Sequence, residues 1–367
     1  MTLHRNNMAD TLLVFTLYCI IVVWCDVSNA TVQGTIQCLD MDKNPVDWFI
    51  AYKLPKNANF LSGKGADFLY MDSNKQMFKK SSVPLDNVNQ AIGFTLQQIY
   101  GRDIKSQNFA YGMYNDQPPP RGKSVSKGGH TKGVVALDSS TGFWLVHSVP
   151  NFTFPYTLRY KWPDNARSFG QTFLCMSLGY DQFEDIGKQL MYNCLNTYDF
   201  HMPDFTTSLT SLRAAIIKDQ CITTPPWNST TILTTIGGQS FYSFAKSDGF
   251  DADLYSDWLA PYFGSDLYVE TWMRAGKLPS SCTGQYKVMN VEMVKLPGVI
   301  SFKSTTDHSK WAVTQSSKYH PWTCIGDINR EESQRHRAGG TVCMVHHQVW
   351  KVFSSAVDKY KSCPTKK

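Results

Sequence analysis

Two short patterns in this sequence combine an imidazole with an ammonium group. His130 is followed two positions later by Lys132, and His308 is followed two positions later by Lys310. In an extended strand, residues two apart point to the same face, so each pair can address one ligand together. A phosphate group suits such a pair, because its oxygens accept hydrogen bonds and carry negative charge.

The two patterns lie in matched contexts. A tryptophan and an asparagine follow each histidine at 14 and 21 positions, as Trp144 and Asn151 in the first copy and as Trp322 and Asn329 in the second. The histidines are 308 − 130 = 178 positions apart, about half of the chain. One His-x-Lys alone is a weak signal. Two copies predict a pseudo-twofold arrangement in which both pairs form one site, with the two asparagines as phosphate-binding or supporting residues.

Two histidines and two lysines can cleave a phosphodiester. A neutral imidazole can attack phosphorus to form a phosphohistidine, while a protonated one donates to the leaving oxygen and the ammonium groups stabilise the phosphate. This chemistry needs no metal or other cofactor. An unperturbed imidazole titrates near pH 6.5, so a pair that must hold one proton favours mildly acidic conditions.

Metal-dependent chemistry would use clustered carboxylates or closely spaced cysteines. The nearest acidic group is formed by Asp251 and Asp253, which is more typical of a loop or a helix cap. We therefore predict no metal site.

The elements that must position these residues alternate in type. Segments 48–52, 133–137 and 143–149 are typical of strands, whereas 88–100 and 183–192 are typical of helices. This alternation predicts an α/β fold. We expect two lobes, each a sheet flanked by helices, over residues 31–205 and 206–367, with one His-x-Lys pair in each.

Residues 1–30 have the pattern of a signal peptide. His4 and Arg5 precede an apolar run from Thr11 to Trp24, and Ser28-Asn29-Ala30 predicts cleavage after Ala30. An uncleaved anchor is the alternative. No later stretch is apolar enough to span a membrane, so we predict a secreted or lysosomal protein.

Ten cysteines occur in the chain, and eight remain after residue 30. They are Cys38, Cys175, Cys194, Cys221, Cys282, Cys324, Cys343 and Cys363. An even number indicates disulfides formed in an oxidising compartment. Sequons at Asn151 and Asn228 agree with passage through the secretory pathway.

The composition allows a large core and a polyanionic partner. Hydrophobic residues make up 42% of the chain and charged residues 18%, with a net charge of +6. Part of the positive excess lies in Arg121, Lys123, Lys127 and Lys132. From charge alone, a solvated basic loop explains this cluster equally well.

Longer blocks resemble the deoxyribonuclease II family. The blocks are Gly129-His-Thr-Lys-Gly133, Gly142-Phe-Trp-Leu-Val-His-Ser-Val-Pro-Asn151, Asp307-His-Ser-Lys-Trp311, Tyr114-Asn-Asp-Gln-Pro-Pro119 and Pro321-Trp-Thr-Cys-Ile-Gly-Asp-Ile-Asn-Arg330. The resemblance implies a phospholipase D-like fold of two lobes and cleavage of double-stranded DNA to 3′-phosphate and 5′-hydroxyl ends. It also implies that His130, Lys132, His308 and Lys310 are the catalytic residues.

The same resemblance implies three disulfides. They join Cys38 to Cys175, Cys282 to Cys363 and Cys324 to Cys343, which leaves Cys194 and Cys221 as a further pair. One position departs from the family pattern: Ala312 stands where a cysteine is common. Asn151 has two conflicting expectations, because a glycan on its sequon cannot sit inside a working site, and we favour an unmodified, buried side chain.

Two other functions remain open at this stage. A secreted paralogue could keep the fold and bind DNA or a protein partner without turnover, although intact His-x-Lys pairs in both halves argue against it. A phospholipase D-type lipid hydrolase could use the same four residues, because substrate choice rests on the groove and not on the catalytic groups. A homodimer is also possible.

Overall fold

The computed structural model describes residues 35–56, 58, 64–120, 128–274, 276–299, 301–318 and 320–364. The predicted signal peptide lies outside the described residues, as do Arg121, Lys123 and Lys127 of the basic cluster. Within the described ranges, every helix is too short or too polar to cross a membrane.

The first half of the chain forms an eight-stranded antiparallel sheet in the order β3-β2-β1-β7-β6-β5-β4-β8. Four of its strands are buried along their whole length and two more at all but one residue, because apolar clusters cover both faces. The strands are β1 Trp48–Lys53, β2 Phe68–Asp72, β3 Lys79–Lys80, β4 Ala110–Asn115, β5 Lys132–Leu137, β6 Thr141–His147, β7 Gln171–Gly179 and β8 Thr197–His201.

The second half forms a nine-stranded sheet in the order β13-β12-β11-β14-β15-β16-β10-β9, with β17 paired to β12. Only its β11–β12 pair is parallel among the described pairs. The strands are β9 Asn228–Thr234, β10 Ser240–Lys246, β11 Leu267–Glu270, β12 Val288–Val294, β13 Phe302–Lys303, β14 Trp311–Thr314, β15 Trp322–Gly326, β16 Gly339–Val345 and β17 Val357–Tyr360.

Helices cover the outer faces and fill the space between the sheets. They are α1 Ala91–Tyr100, α2 Phe183–Asn193, α3 Thr210–Lys218, α4 Ala260–Phe263, α5 Glu332–Arg335 and α6 His347–Ser355. The apolar face of α1 packs on the first sheet, and the Gln90 side chain caps its N-terminus by accepting from the Ile92 N–H at 2.8 Å. The largest core cluster contains Ile50 and Trp144 of the first sheet and Trp311 of the second. The predicted α/β fold of two sheets flanked by helices is therefore confirmed.

The two sheets have equivalent strand orders. The succession β1-β7-β6-β5-β4-β8 in the first corresponds to β10-β16-β15-β14-β11-β12 in the second. Lys132 is the first residue of β5 and His130 lies two residues before it, whereas Lys310 directly precedes the corresponding strand, β14, and His308 lies two residues earlier. The chain passes between the sheets after His201 and before Asn228. The lobe boundary between residues 205 and 206 falls in this connection and stays a prediction.

The matched tryptophans are not equivalent, which corrects the sequence analysis. Gly133 pairs with Val146 in the first hairpin, whereas Trp311, at the same distance from its histidine, pairs with Ile325. The partner strand is thus shifted by one residue in the second half, and a shift of one residue turns a side chain to the opposite face. Trp144 accordingly packs in the core between the sheets, and Trp322 packs in the outer cluster beside Phe263.

The structure contains the three disulfides that the resemblance implied and also the further Cys194–Cys221 pair. They join Cys38 to Cys175, Cys194 to Cys221, Cys282 to Cys363 and Cys324 to Cys343. The first fastens the start of the described chain to β7, and the last links the neighbouring strands β15 and β16. Ala312 is buried on β14 opposite Cys324, which is already part of a disulfide.

Candidate active site

Both His-x-Lys pairs line a single cavity of about 260 Å³. The N-terminal ends of two interior strands bring them together, because each pair lies at or directly before the start of its equivalent strand. The cavity is also lined by Asp116, Gln117, Ser148, Pro150, Trp272, Arg274, Asn329, Gln334 and Arg337. Four basic side chains therefore face a space that is large enough for a phosphodiester group.

His130 is held at both its backbone and its ring. Its N–H donates to the Ala338 carbonyl at 2.8 Å, and its Nδ1 lies 2.6 Å from the Asp327 carbonyl oxygen. Because a carbonyl can only accept, Nδ1 carries the proton and Nε2 of the neutral ring is left with a lone pair. Gly129 permits this approach, since a Cβ there would lie 1.9 Å from the Asn193 carbonyl oxygen.

Asp116 is the counter-charge beside the first pair. Its carboxylate lies 2.5 Å from Lys132 Nζ, 3.0 Å from the Arg337 guanidinium and 3.8 Å from His130 Nε2. Burial would raise the pKa of Asp116, but Lys132, His130 and Arg337 together hold it well below its usual range. Asp116 therefore stays ionised under acidic conditions.

His308 contacts two aromatic rings. Phe169 stacks on it with ring centroids 3.9 Å apart and an interplanar angle of 17°, and Trp272 lies at 4.0 Å with its ring tilted by 45°. The backbone N–H of His308 donates to the Gly170 carbonyl at 2.9 Å. Its Nε2 is buried and has no hydrogen-bond partner, so this nitrogen is available to a ligand in the cavity.

The surroundings of the two imidazoles differ at one equivalent position. Asp116 lies one residue beyond Asn115, which faces Lys132 across the β4–β5 pair. In the β11–β14 pair, Glu270 faces Trp311, so the next residue, Thr271, is opposite Lys310. Trp272 lies one residue beyond that position. A carboxylate thus accompanies His130 where an indole ring accompanies His308.

Lys310 and Asp327 titrate in an unusual range. Burial lowers the pKa of Lys310 to about 7, and the Lys132 ammonium contributes to this effect. Burial raises the pKa of Asp327 to about 8, against the opposite influence of Lys132 and Lys310. The cavity therefore has its largest positive charge at acidic pH, where Lys310 is charged and Asp327 is neutral.

The pKa values of both imidazoles lie below the unperturbed value near 6.5 that was used to predict an acid optimum. Burial and Lys310 lower the pKa of His308 to about 2. Burial and Lys132 hold the pKa of His130 well below its ordinary value, although Asp116 acts in the opposite direction. In the free protein His308 is thus neutral at pH 5, and the charged form of His130 is disfavoured.

Of the two predicted asparagines, the structure brings only Asn329 to the cavity. Asn151 is 5% exposed, and its Nδ2 donates to the carbonyls of Gln117 and Pro118. The cause is the one-residue shift between the hairpins described above. Asn151 therefore supports the loop after β4 and does not face the ligand space, and its buried amide is a poor site for a glycan.

Several residues at or beside the cavity were not predicted from the sequence. Phe169, Trp272, Arg274 and Arg337 reach the site only through tertiary contacts, and no local spacing relates them to the histidines. Asp116 lies within the block Tyr114-Asn-Asp-Gln-Pro-Pro119, so the resemblance was an available signal for it. A larger cavity of about 680 Å³ beside Leu296 and Val299 has a mainly apolar lining without histidine or carboxylate.

No group of three histidine, cysteine or carboxylate side chains in the described part of the chain is arranged to hold a metal ion. Asp253, considered as part of an acidic pair, instead caps the helical segment Leu254–Leu259 and binds the Arg330 guanidinium at 3.0 Å. His147 is buried among aromatic rings and accepts from the Val149 N–H. These groups have structural roles.

Similar proteins identify the family of this chain. The sequence model of the family described as "Deoxyribonuclease II" matches residues 37–363. The chain belongs to the deoxyribonuclease II family. The family prediction made from the blocks is thereby confirmed, and with it the assignment to a family of deoxyribonuclease enzymes.

Individual relatives of this deoxyribonuclease II family member are similar along nearly their whole length. The chain is 44% identical to plancitoxin-1 of Acanthaster planci, covering 97% of this chain and 100% of that protein. It is 42% identical to deoxyribonuclease-2-alpha of Mus musculus, with 89% and 94% covered, and 37% identical to deoxyribonuclease-2-beta of Homo sapiens, with 90% and 92% covered.

Among solved structures, the yeast tyrosyl-DNA phosphodiesterase matches with a TM-score of 0.29 and 10% identity. The match covers 62% of this chain and 68% of that one.

Proposed function

We propose that the protein is an acid, metal-independent endonuclease that hydrolyses double-stranded DNA to 3′-phosphate and 5′-hydroxyl ends. The observation that carries the proposal is the convergence of His130, Lys132, His308 and Lys310 on one cavity. Membership of the deoxyribonuclease II family supports DNA as the substrate. The family, the disulfides and the N-terminal pattern support a secreted or lysosomal location.

Lys132 and Lys310 would bind the non-bridging oxygens of the scissile phosphate. Both ammonium groups are buried, so their attraction for the phosphate is less screened by water than at an exposed surface. Arg274 and Arg337 line the same cavity and can contact the flanking phosphates. These contacts involve the backbone of the nucleic acid, which fits an enzyme with little dependence on base sequence.

The charges beside the two imidazoles favour different roles. Burial disfavours the charged form of both rings, but the Asp116 carboxylate acts to raise the pKa of His130, whereas the charged groups that act on the pKa of His308 are cations. We therefore assign His308 as the nucleophile, attacking phosphorus with Nε2, and His130 as the acid. The P–O5′ bond breaks, and the departing O5′ takes the proton from His130.

A second displacement completes the reaction. Water attacks the phosphorus of the phosphohistidine, and neutral His130 takes its proton as a general base. The bond from phosphorus to His308 Nε2 breaks, which leaves a 3′-phosphate and restores both side chains.

Substrate binding promotes the protonation of His130 that the mechanism needs. In the free cavity, burial together with Lys132 and Lys310 holds the pKa of His130 low. A bound phosphodiester anion offsets this positive charge, so the pKa of His130 rises and proton uptake accompanies binding. Acidic solution favours this uptake and also keeps Lys310 charged, which together give an acid optimum.

Digestion of a defined duplex tests the proposal. A fluorescently labelled DNA duplex and phosphatidylcholine vesicles are each incubated at pH 5 in EDTA, and the DNA ends are identified by mass spectrometry. The proposal predicts 3′-phosphate ends and intact lipid. DNA binding without cleavage would instead indicate a non-catalytic paralogue, and release of choline would indicate a phospholipase.

A further inference from the structure

Each candidate catalytic histidine is held by a loop from the opposite half of the molecule. The His308 N–H donates to the carbonyl of Gly170, which directly precedes β7 of the first sheet. The His130 N–H donates to the carbonyl of Ala338, which directly precedes β16 of the second sheet. The two hydrogen bonds, at 2.9 and 2.8 Å, therefore cross between the halves in opposite directions.

A buried lysine anchors each of these loops. Lys53 Nζ donates to the carbonyls of Arg167 and Phe169, at 2.7 and 2.5 Å. Lys246 Nζ donates to the carbonyls of Gln334, Arg335 and Arg337, at 3.0, 2.9 and 2.6 Å. Both lysines are 0% exposed, so each ammonium depends on these carbonyls for its hydrogen bonds.

The two anchors are equivalent in the duplicated fold. Lys53 is the last residue of β1 and faces Gln171, while Lys246 is the last residue of β10 and faces Gly339. The carbonyls bound by Lys53 lie four and two residues before Gln171. Those bound by Lys246 include the residues four and two before Gly339, and the histidine-holding carbonyl comes one residue before in both halves. Agreement at three offsets in both halves argues against chance packing.

The anchored loops also deliver side chains to the site. Phe169 stacks on His308, and Arg337 binds the Asp116 carboxylate beside His130. A buried lysine that only filled space could be replaced by an apolar side chain with less desolvation cost. An ammonium instead donates up to three hydrogen bonds at once and can fix several carbonyls of one turn.

We propose that Lys53 and Lys246 are paired positioning residues. Through loops 167–170 and 335–338, Lys53 positions His308 and Lys246 positions His130. This inference rests on the proposed function only for its effect on turnover, because the placement of each histidine can be measured without substrate.

Single replacements with methionine test the proposal. Lys53→Met and Lys246→Met are compared with Lys188→Met, whose parent side chain is exposed and pairs with Asp185. The imidazole resonances of ¹⁵N-histidine-labelled protein report the placement of each ring. We expect Lys53→Met to shift the His308 resonances and leave those of His130, and Lys246→Met to do the reverse. The control should leave both unchanged.

Kinetics give the second readout. Since small displacements of a reacting group are costly, kcat on duplex DNA should fall about 10- to 100-fold in each lysine variant while KM changes little. Lys53→Gln retains two N–H donors and should recover part of the loss. If wild-type protein fails to cleave DNA, the proposed function fails. The positioning role is still tested, because Lys53→Met should shift only the His308 resonances and Lys246→Met only those of His130.

Three results would overturn the inference. The first is a folded Lys53→Met protein with unchanged histidine resonances and unchanged kcat. The second is equal shifts of both histidines in each variant, which would indicate general loosening. The third is failure of both Lys53 variants to fold while Lys246→Met folds with full kcat, which would leave only a stabilising role.

Discussion

The carboxylate of Asp116 lies 2.5 Å from the ammonium of Lys132 and 3.8 Å from Nε2 of His130. One buried anion thus compensates a lysine and faces the imidazole that we assign as the acid. The pKa of Asp116 is held below its usual value, so the stabilisation that it contributes is complete above the unfolded pKa near 3.9 and is lost only as the pH falls further. The ion pair therefore persists at pH 5.

Asp116→Asn should impair both stability and proton donation. Loss of a buried partner leaves Lys132 and Arg337 uncompensated, which costs about 3–5 kcal/mol in the free energy of unfolding. Without the anion the pKa of His130 falls, so we expect the optimum of kcat to move to lower pH and its maximum to drop about 10- to 100-fold. Urea unfolding and pH–rate profiles measure these effects, with the exposed Asp185→Asn as control. An unchanged profile would remove Asp116 from the mechanism.

Lys310→Arg should extend activity to higher pH. The pKa of Lys310 is lowered to about 7, so this charge is complete at acidic pH and is lost as the pH rises through 7. A guanidinium remains charged throughout this range. We expect the alkaline limb of kcat/KM, which reports the free enzyme, to move upward by at least one pH unit even if the maximum falls about 10-fold. Lys188→Arg is the matched control, and a limb that stays near pH 7 in the variant would refute this role for Lys310.

A substrate with an activated leaving group should separate the two histidines. Nitrophenolate departs without a proton, so cleavage of thymidine 3′-(p-nitrophenyl phosphate) needs the nucleophile but not the acid. His130→Ala should therefore lose about 100-fold or more on DNA, whereas its first release of nitrophenolate from this ester, measured as a pre-steady-state burst, should fall much less. His308→Ala should be inactive on both. Recovery in His308→Ala but not in His130→Ala would reverse the assignment.

The Cys194–Cys221 disulfide should matter for activity as well as stability. The carbonyl of Cys194 accepts from the Gly129 N–H at 2.6 Å, directly before His130. Replacing both cysteines by alanine should cost about 2–4 kcal/mol of stability and also lower kcat. The matching removal of Cys282 and Cys363, which do not line the cavity, should lower stability alone. Equal kcat in the two double variants would contradict the coupling to His130.

Sequence reasoning predicted the α/β fold class and selected four residues that line one cavity, because both follow from local patterns, while their catalytic role stays a prediction. His-x-Lys recurs at or directly before the start of equivalent strands, and the alternation of strands and helices indicates α/β structure. The Trp144–Trp322 and Asn151–Asn329 matches failed because one extra residue in the second hairpin changes the register, which spacing along the chain does not reveal. Phe169, Trp272 and the anchoring lysines escaped prediction because only tertiary packing brings them to the histidines.

The most direct test of the account is digestion of supercoiled plasmid in EDTA at pH 5 and pH 7.5, comparing wild-type protein with His308→Ala. The account predicts that wild type cleaves at pH 5 despite the chelator, cleaves far more slowly at pH 7.5, and that the variant is inactive at both. Loss of wild-type cleavage on adding EDTA would contradict the metal-independent mechanism. Retained cleavage by a folded His308→Ala protein would contradict the role of the histidine pair.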